Sequence, residues 1–118
     1  MTGDASVNTD APIICCTAEI LANRALRDEK LDIDYVVADE FHFYGDKERG
    51  WAWQLPLITM KETVFLLMSA TLGDTTHIVE KLSKFTDRET VVVSSGSRPV
   101  PLKLEYRDTP IHETVENL

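Results

Sequence analysis

The chain has 118 residues, 43% hydrophobic and 8% aromatic, which is one domain's worth of polypeptide with a core that needs no disulfide staples. No apolar run approaches the roughly 20 residues of a membrane span, and Met1 is followed by TGDASVNTD, which lacks the basic start and apolar stretch of a signal peptide; a cytoplasmic protein with no membrane partner is expected. Its 20 acidic and 12 basic residues give a net charge of −8, the wrong balance for a free-standing nucleic-acid binder, so any contact with nucleic acid has to be local.

In chain order, APIICCT (11–17) is a short apolar run of buried-strand type. Cys15 and Cys16, the only cysteines, would point to opposite faces of that strand and read as small buried hydrophobes, not as a disulfide or metal pair. Thr17 stands at a helix N-cap position, and Ala18, Leu21, Ala22 and Ala25 give the next helix one apolar face. Ile33 to Asp39 is rich in β-branched residues and reads as a strand covered on both sides in a parallel sheet. In DKERGWAWQLPLITM, Trp51, Leu55 and Ile58 fall at helical spacing, but an interior proline costs about 3 kcal/mol, so Pro56 predicts a short, distorted helix. VFLLMSA (64–70) is a second buried strand, and Asp74 is placed to cap a helix with Ile78, Val79, Leu82 and Phe85 on one face. VVVSS (91–95) reads as a last strand before SGSRPVP, a linker-like stretch, and PLKLEY begins another strand. Strands alternating with helices predict an α/β fold with a parallel sheet.

The chemistry gathers at the end of the second strand, where Asp39, Glu40 and His42 stand close together. Ligands of open parallel sheets bind beyond the carboxyl ends of the strands. A carboxylate there can hold a hydrated Mg²⁺, and a neighbouring one can orient or deprotonate a water for attack on a phosphoryl group. The bland alternative is that Asp39 only ends a strand, Glu40 is solvated, His42 is partly buried and Ser69 and Thr71 cap a strand end.

The order of motifs favours the first reading. GDASVN (3–8), TAEIL (17–21), DEFH (39–42), DKERG (46–50), SAT (69–71) and RPVPL (98–102) stand in succession. This set resembles the superkiller-type DExH-box RNA helicases of the second superfamily, and the resemblance runs over almost the whole chain. It implies a RecA-like, three-layer P-loop NTPase fold, with ATP and Mg²⁺ as cofactors and nucleic acid, RNA before DNA, as partner. By the same resemblance Asp39 coordinates the Mg²⁺ of bound ATP and Glu40 activates the hydrolytic water. His42 links that site to Ser69, Ala70 and Thr71, which couple hydrolysis to RNA movement, while Gly3, Asp4 and Thr17 contact nucleic acid. A helix N-terminus suits Thr17 to a phosphate, although Glu19 beside it would repel one. Phe41 is bulkier than the aliphatic residue usual between Glu and His in the family.

A phosphate-binding GxxxxGK[ST] loop is absent from the sequence: the one matching glycine spacing, Gly45 to Gly50, has Trp51 where the lysine belongs. Residues 1–99 are therefore expected to be the C-terminal part of a first RecA-like domain lacking the Walker A strand, and residues 100–118 a linker and the start of the second. The Cys15, Val37 and Leu66 strands should be neighbours, with VVVSS cut off from them by the missing strand. Such a piece should bind ATP weakly and be inactive alone, and it should expose a sheet edge open to self-association. Its full-length partners would be the second RecA-like domain and the Walker A segment. Two alternatives are a divalent-metal nuclease or hydrolase built on Asp39, Glu40 and His42, and a non-catalytic interaction module with an acidic surface.

Overall fold

A computed structural model describes residues 8, 10–27, 31–70, 72–104, 106 and 108. The order is α1 (Ala18–Arg27), β1 (Tyr35–Ala38), a 3-10 turn (Phe41–Gly45), α2 (Trp51–Thr59), β2 (Val64–Leu67) and α3 (Thr76–Thr86). This is a small α/β unit, consistent with a partial RecA-like domain.

β1 and β2 pair in parallel with Tyr35 opposite Val64 and Ala38 opposite Leu67. The ladder runs beyond the strands at both ends: Val64 N donates to Asp34 O (2.9 Å), Met68 N to Ala38 O (2.9 Å) and Phe41 N to Met68 O (2.9 Å). One face carries Val36, Ala38, Phe65 and Leu67, all half-buried, and Phe65 and Leu67 pack on the core of Phe41, Leu57 and Leu82. The opposite face was expected to be covered as well, and none of the described residues covers it. Tyr35, Val37, Val64 and Leu66 are all exposed there.

Three expected strands do not form among the described residues. Residues 14–17, 91–95 and 101–104 carry no strand hydrogen bonding, and among the described residues the sheet has β1 and β2 alone. An apolar run becomes a strand only when a neighbour pairs with its amides and carbonyls. Residues 11–17 instead stand off β1 across an open groove of about 830 Å³, and Cys15 and Cys16 are exposed, not buried. Val91 and Val93 are exposed too. The boundary expected at residues 99 and 100 falls in an exposed, irregular stretch, and most residues after 104 lie outside the described ones.

The helices obey their patterns more closely. α1 packs chiefly on α2, with Ala22 fully buried and Ala18, Leu21 and Ala25 half-buried; small side chains let the two helix backbones approach. α2 runs through Pro56, whose carbonyl accepts the Met60 amide at 2.8 Å. Its buried residues are Ala52, Pro56 and Leu57, whereas Trp51 and Ile58 face out, so the proline ring is a packing element and the apolar face differs from the one predicted. α3 buries Leu82, with Ile78, Val79 and Phe85 half-buried. Asp74 works as the cap one residue early: its Oδ1 accepts from Thr76 N (3.0 Å) and Thr76 Oγ1 (2.7 Å), although Thr75 holds the N-cap position. Buried Thr63 ties β2 to its surroundings, donating from Oγ1 to Ile33 O (2.7 Å) and accepting at its carbonyl from Arg88 Nη1 (3.1 Å).

Candidate functional site

The carboxyl ends of β1 and β2 bring the DEFH and SAT segments side by side. Asp39 is exposed directly after β1, and its Oδ1 accepts the Glu40 amide at 2.8 Å. Glu40 takes the left-handed conformation, φ 54° and ψ 40°, which costs an L-residue roughly 1–2 kcal/mol. That turn sends the chain back on itself. Phe41 then drops into the core, 1% exposed, with its ring stacked 5.1 Å from that of Tyr44. The large side chain at this position is thus a centre of packing, not a disturbance.

His42 emerges from the same turn facing β2. Its Nδ1 lies 3.1 Å from Glu40 Oε2 and 3.2 Å from Ser69 Oγ. A carboxylate only accepts, so the pair with Glu40 calls for the tautomer with its hydrogen on Nδ1, and Ser69 Oγ lies within reach of the same atom. His42 is therefore the joint between the end of β1 and the residue beyond β2. Ala70 is exposed at the same edge. Thr71, Gly3 and Asp4 lie outside the described residues.

A second cluster surrounds the DKERG loop. Asp46 Oδ1 accepts the amides of Glu48 and Arg49, both at 2.8 Å, and these two amides, Arg49's first, hold its carboxyl below the usual aspartate range. Gly50 has an ordinary helical conformation, φ −56° and ψ −28°, but a Cβ there would run into the carbonyl oxygens of Tyr44 and Asp46. The loop so fixed presents Arg49 to α1: Nε and Nη2 reach Glu19 Oε1 at 2.8 and 2.7 Å. The guanidinium also lies 5.7 Å from the Phe43 ring centroid and 5.5 Å from that of Trp53.

Thr17 precedes α1, and its carbonyl takes the Ile20 and Leu21 amides at 3.2 and 3.3 Å. Glu19 is held below the usual glutamate range by its own amide first, then by Arg49, with the Thr17 hydroxyl a smaller contributor. The repulsion expected from Glu19 is thus met by a cation. Sequence reasoning missed this pair, because the partners are 30 residues apart and no periodicity connects them; the charged DKERG loop was the available signal. Among the described residues no three His, Cys, Asp or Glu side chains converge as a metal-ligand set.

Comparison with known proteins identifies the family. The chain is 34% identical over 107 residues to the antiviral helicase SKI2 of Saccharomyces cerevisiae, a match covering 88% of the chain and 8% of that protein. It is 33% identical over 106 residues to the ATP-dependent RNA helicase mtr4 of Schizosaccharomyces pombe, covering 87% of the chain and 10% of that protein. Against the probable helicase HelY of Mycobacterium tuberculosis the identity is 35% over 105 residues, with 86% of the chain and 12% of that protein covered. The chain thus spans about a tenth of the length of these relatives. Residues 3–94 match the DEAD/DEAH box helicase family, and the chain belongs to that family, as part of a superkiller-type DExH helicase domain.

Proposed function

We propose that the chain is part of an ATP-dependent DExH-box RNA helicase, carrying the edge of its nucleotide site that senses hydrolysis. The observation that supports this best is His42 Nδ1 within reach of both Glu40 and Ser69, because it joins the two motifs through one ring nitrogen. The strained backbone of Glu40 adds support, since such conformations cluster where function requires them. RNA is preferred over DNA because the fission yeast relative is named an RNA helicase.

In this reading Glu40 orients and deprotonates the attacking water, and His42 passes the state of that carboxylate to Ser69, with Ala70 and Thr71 beyond it. Asp39, an exposed carboxylate at the sheet edge, suits a hydrated Mg²⁺, which would neutralise charge on the nucleotide phosphates. Gly3, Asp4 and Thr17 contact the RNA backbone. Residues 1–99 form the C-terminal part of a first RecA-like domain and residues 100–118 a linker and the start of a second. The protein works in the cytoplasm. The edge of β2 away from β1, with the bare face of Tyr35, Val37, Val64 and Leu66, lets the chain self-associate when alone; a strictly monomeric sedimentation profile at high concentration would count against that.

The test is Glu40→Gln in a longer protein that joins this segment to a phosphate loop. RNA-stimulated ATP hydrolysis should fall by at least about tenfold, a floor set below the roughly 100- to 10,000-fold that a positioned base contributes. Unchanged hydrolysis would refute the assignment.

A further inference from the structure

We propose that Arg49 is a positioning residue that ties α1 to the turn carrying His42, so that the two move as one body. The inference rests on the helicase reading above and adds a residue to it. Contacts succeed one another without a gap. Glu40 Oε2 meets His42 Nδ1 at 3.1 Å, and the His42 ring lies 4.5 Å from the Phe43 ring. The Arg49 guanidinium covers Phe43 and grips Glu19 on the first turn of α1 with two nitrogens.

The arrangement fits a geometric role better than a stabilising one. Arg49 and Glu19 are 54% and 31% exposed at their side chains, and ion pairs so open to water add little stability. What the contact does supply is direction. A guanidinium is planar and forked, so it can lie on two aromatic faces while its edge donates to a carboxylate, which an ammonium cannot do. Its backbone is equally constrained: Asp46 holds the Arg49 amide at 2.8 Å, and Gly50 lets the loop close on the carbonyls of Tyr44 and Asp46. A displacement of α1 therefore reaches Phe43, and through it His42, by rigid contact, independently of the direct link between His42 and Ser69.

The experiment uses the full-length protein that carries this segment, with Arg49→Ala, Arg49→Lys, Glu19→Gln and the Arg49→Ala/Glu19→Gln double variant. ATP turnover is measured with and without a single-stranded RNA oligonucleotide, beside the thermal midpoint. Arg49→Ala should cut RNA stimulation by about fivefold or more, the lower range for coupled sites, while turnover without RNA and the thermal midpoint stay close to wild type. Arg49→Lys should recover less than half of the loss, and the double variant should be no worse than Arg49→Ala, as expected of residues acting in one contact. RNA stimulation retained in Arg49→Ala overturns the proposal. So does a parallel fall of both rates with the thermal midpoint, which marks a structural pair only. If Glu40→Gln loses hydrolysis while Arg49→Ala keeps RNA stimulation, this inference alone fails; if Glu40→Gln keeps hydrolysis, the helicase reading fails.

Discussion

Gly50→Ala should destabilise the chain, against the usual direction of that substitution in a helical conformation. With φ −56° and ψ −28°, alanine is conformationally acceptable there, and the most it could gain over glycine is the roughly 0.5–1 kcal/mol of a helix interior, a ceiling at this N-cap position. Space decides the sign. The added Cβ would sit 2.5 Å from Asp46 O and closer still to Tyr44 O, whereas carbon and oxygen normally approach to about 3.3 Å, a shortfall of roughly 0.8 Å on backbone atoms. Neither carbonyl can retreat cheaply: Tyr44 O accepts Gln54 Nε2 at 2.6 Å, and Asp46 O accepts the Gly50 amide at 2.9 Å. Overpacking of this kind costs about 1–3 kcal/mol, which outweighs the helix gain in most of that range. A loss of about 1 kcal/mol lowers the melting point by roughly 4–8 °C in a small domain. Thermal and urea unfolding, monitored through Trp51 and Trp53, measure it. Gly45→Ala is the control, because a Cβ there meets nothing within 4 Å. Gly50→Ala as stable as wild type, or Gly45→Ala falling as far, would refute the steric argument.

Phe41→Ala should cost about 3–5 kcal/mol and Leu82→Ala about 2–5 kcal/mol, since both sit in the core cluster; urea midpoints check each. Asp74→Ala should speed amide exchange at Thr76, whose N–H it accepts, and leave exchange in α2 unchanged. Asp46 has its carboxyl held below the ordinary 3.8 by the Arg49 and Glu48 amides. The loop stabilisation it gives is therefore complete above that value and is lost as pH falls through the lower folded one; an acid titration of Arg49 amide exchange reads it, and exchange indifferent to pH after correction for intrinsic rates would contradict it. Calorimetry should detect no saturable ATP binding by this chain at micromolar nucleotide.

What could be read in the sequence depended on how local its cause was. The apolar faces of α1 and α3 are set by spacing within one helix, and both were visible. The sites of β1 and β2 were visible too, because continuous β-branched runs mark strands wherever they are paired. Coverage was not: Tyr35, Val37, Val64 and Leu66 are apolar enough for a doubly covered sheet, yet nothing among the described residues covers them. Residues 11–17 and 91–95 fail for the same reason, since their composition suits neighbours they do not meet here. Motif order brought out Asp39, Glu40, His42 and Ser69 together. It gave no hint of the left-handed turn at Glu40, a conformation glutamate seldom adopts, nor of Arg49 reaching Glu19. Pro56 argued for an interrupted helix, and burial of its ring against the core side of α2 offset the lost amide donor.

The backbone at Glu40 sets a trap for protein engineering. Asparagine or glycine would settle more comfortably at φ 54°, so a library sorted only for heat resistance will tend to enrich replacements at this position and discard the carboxylate facing His42. Thermostabilised versions of this segment should accordingly be screened with residue 40 held constant.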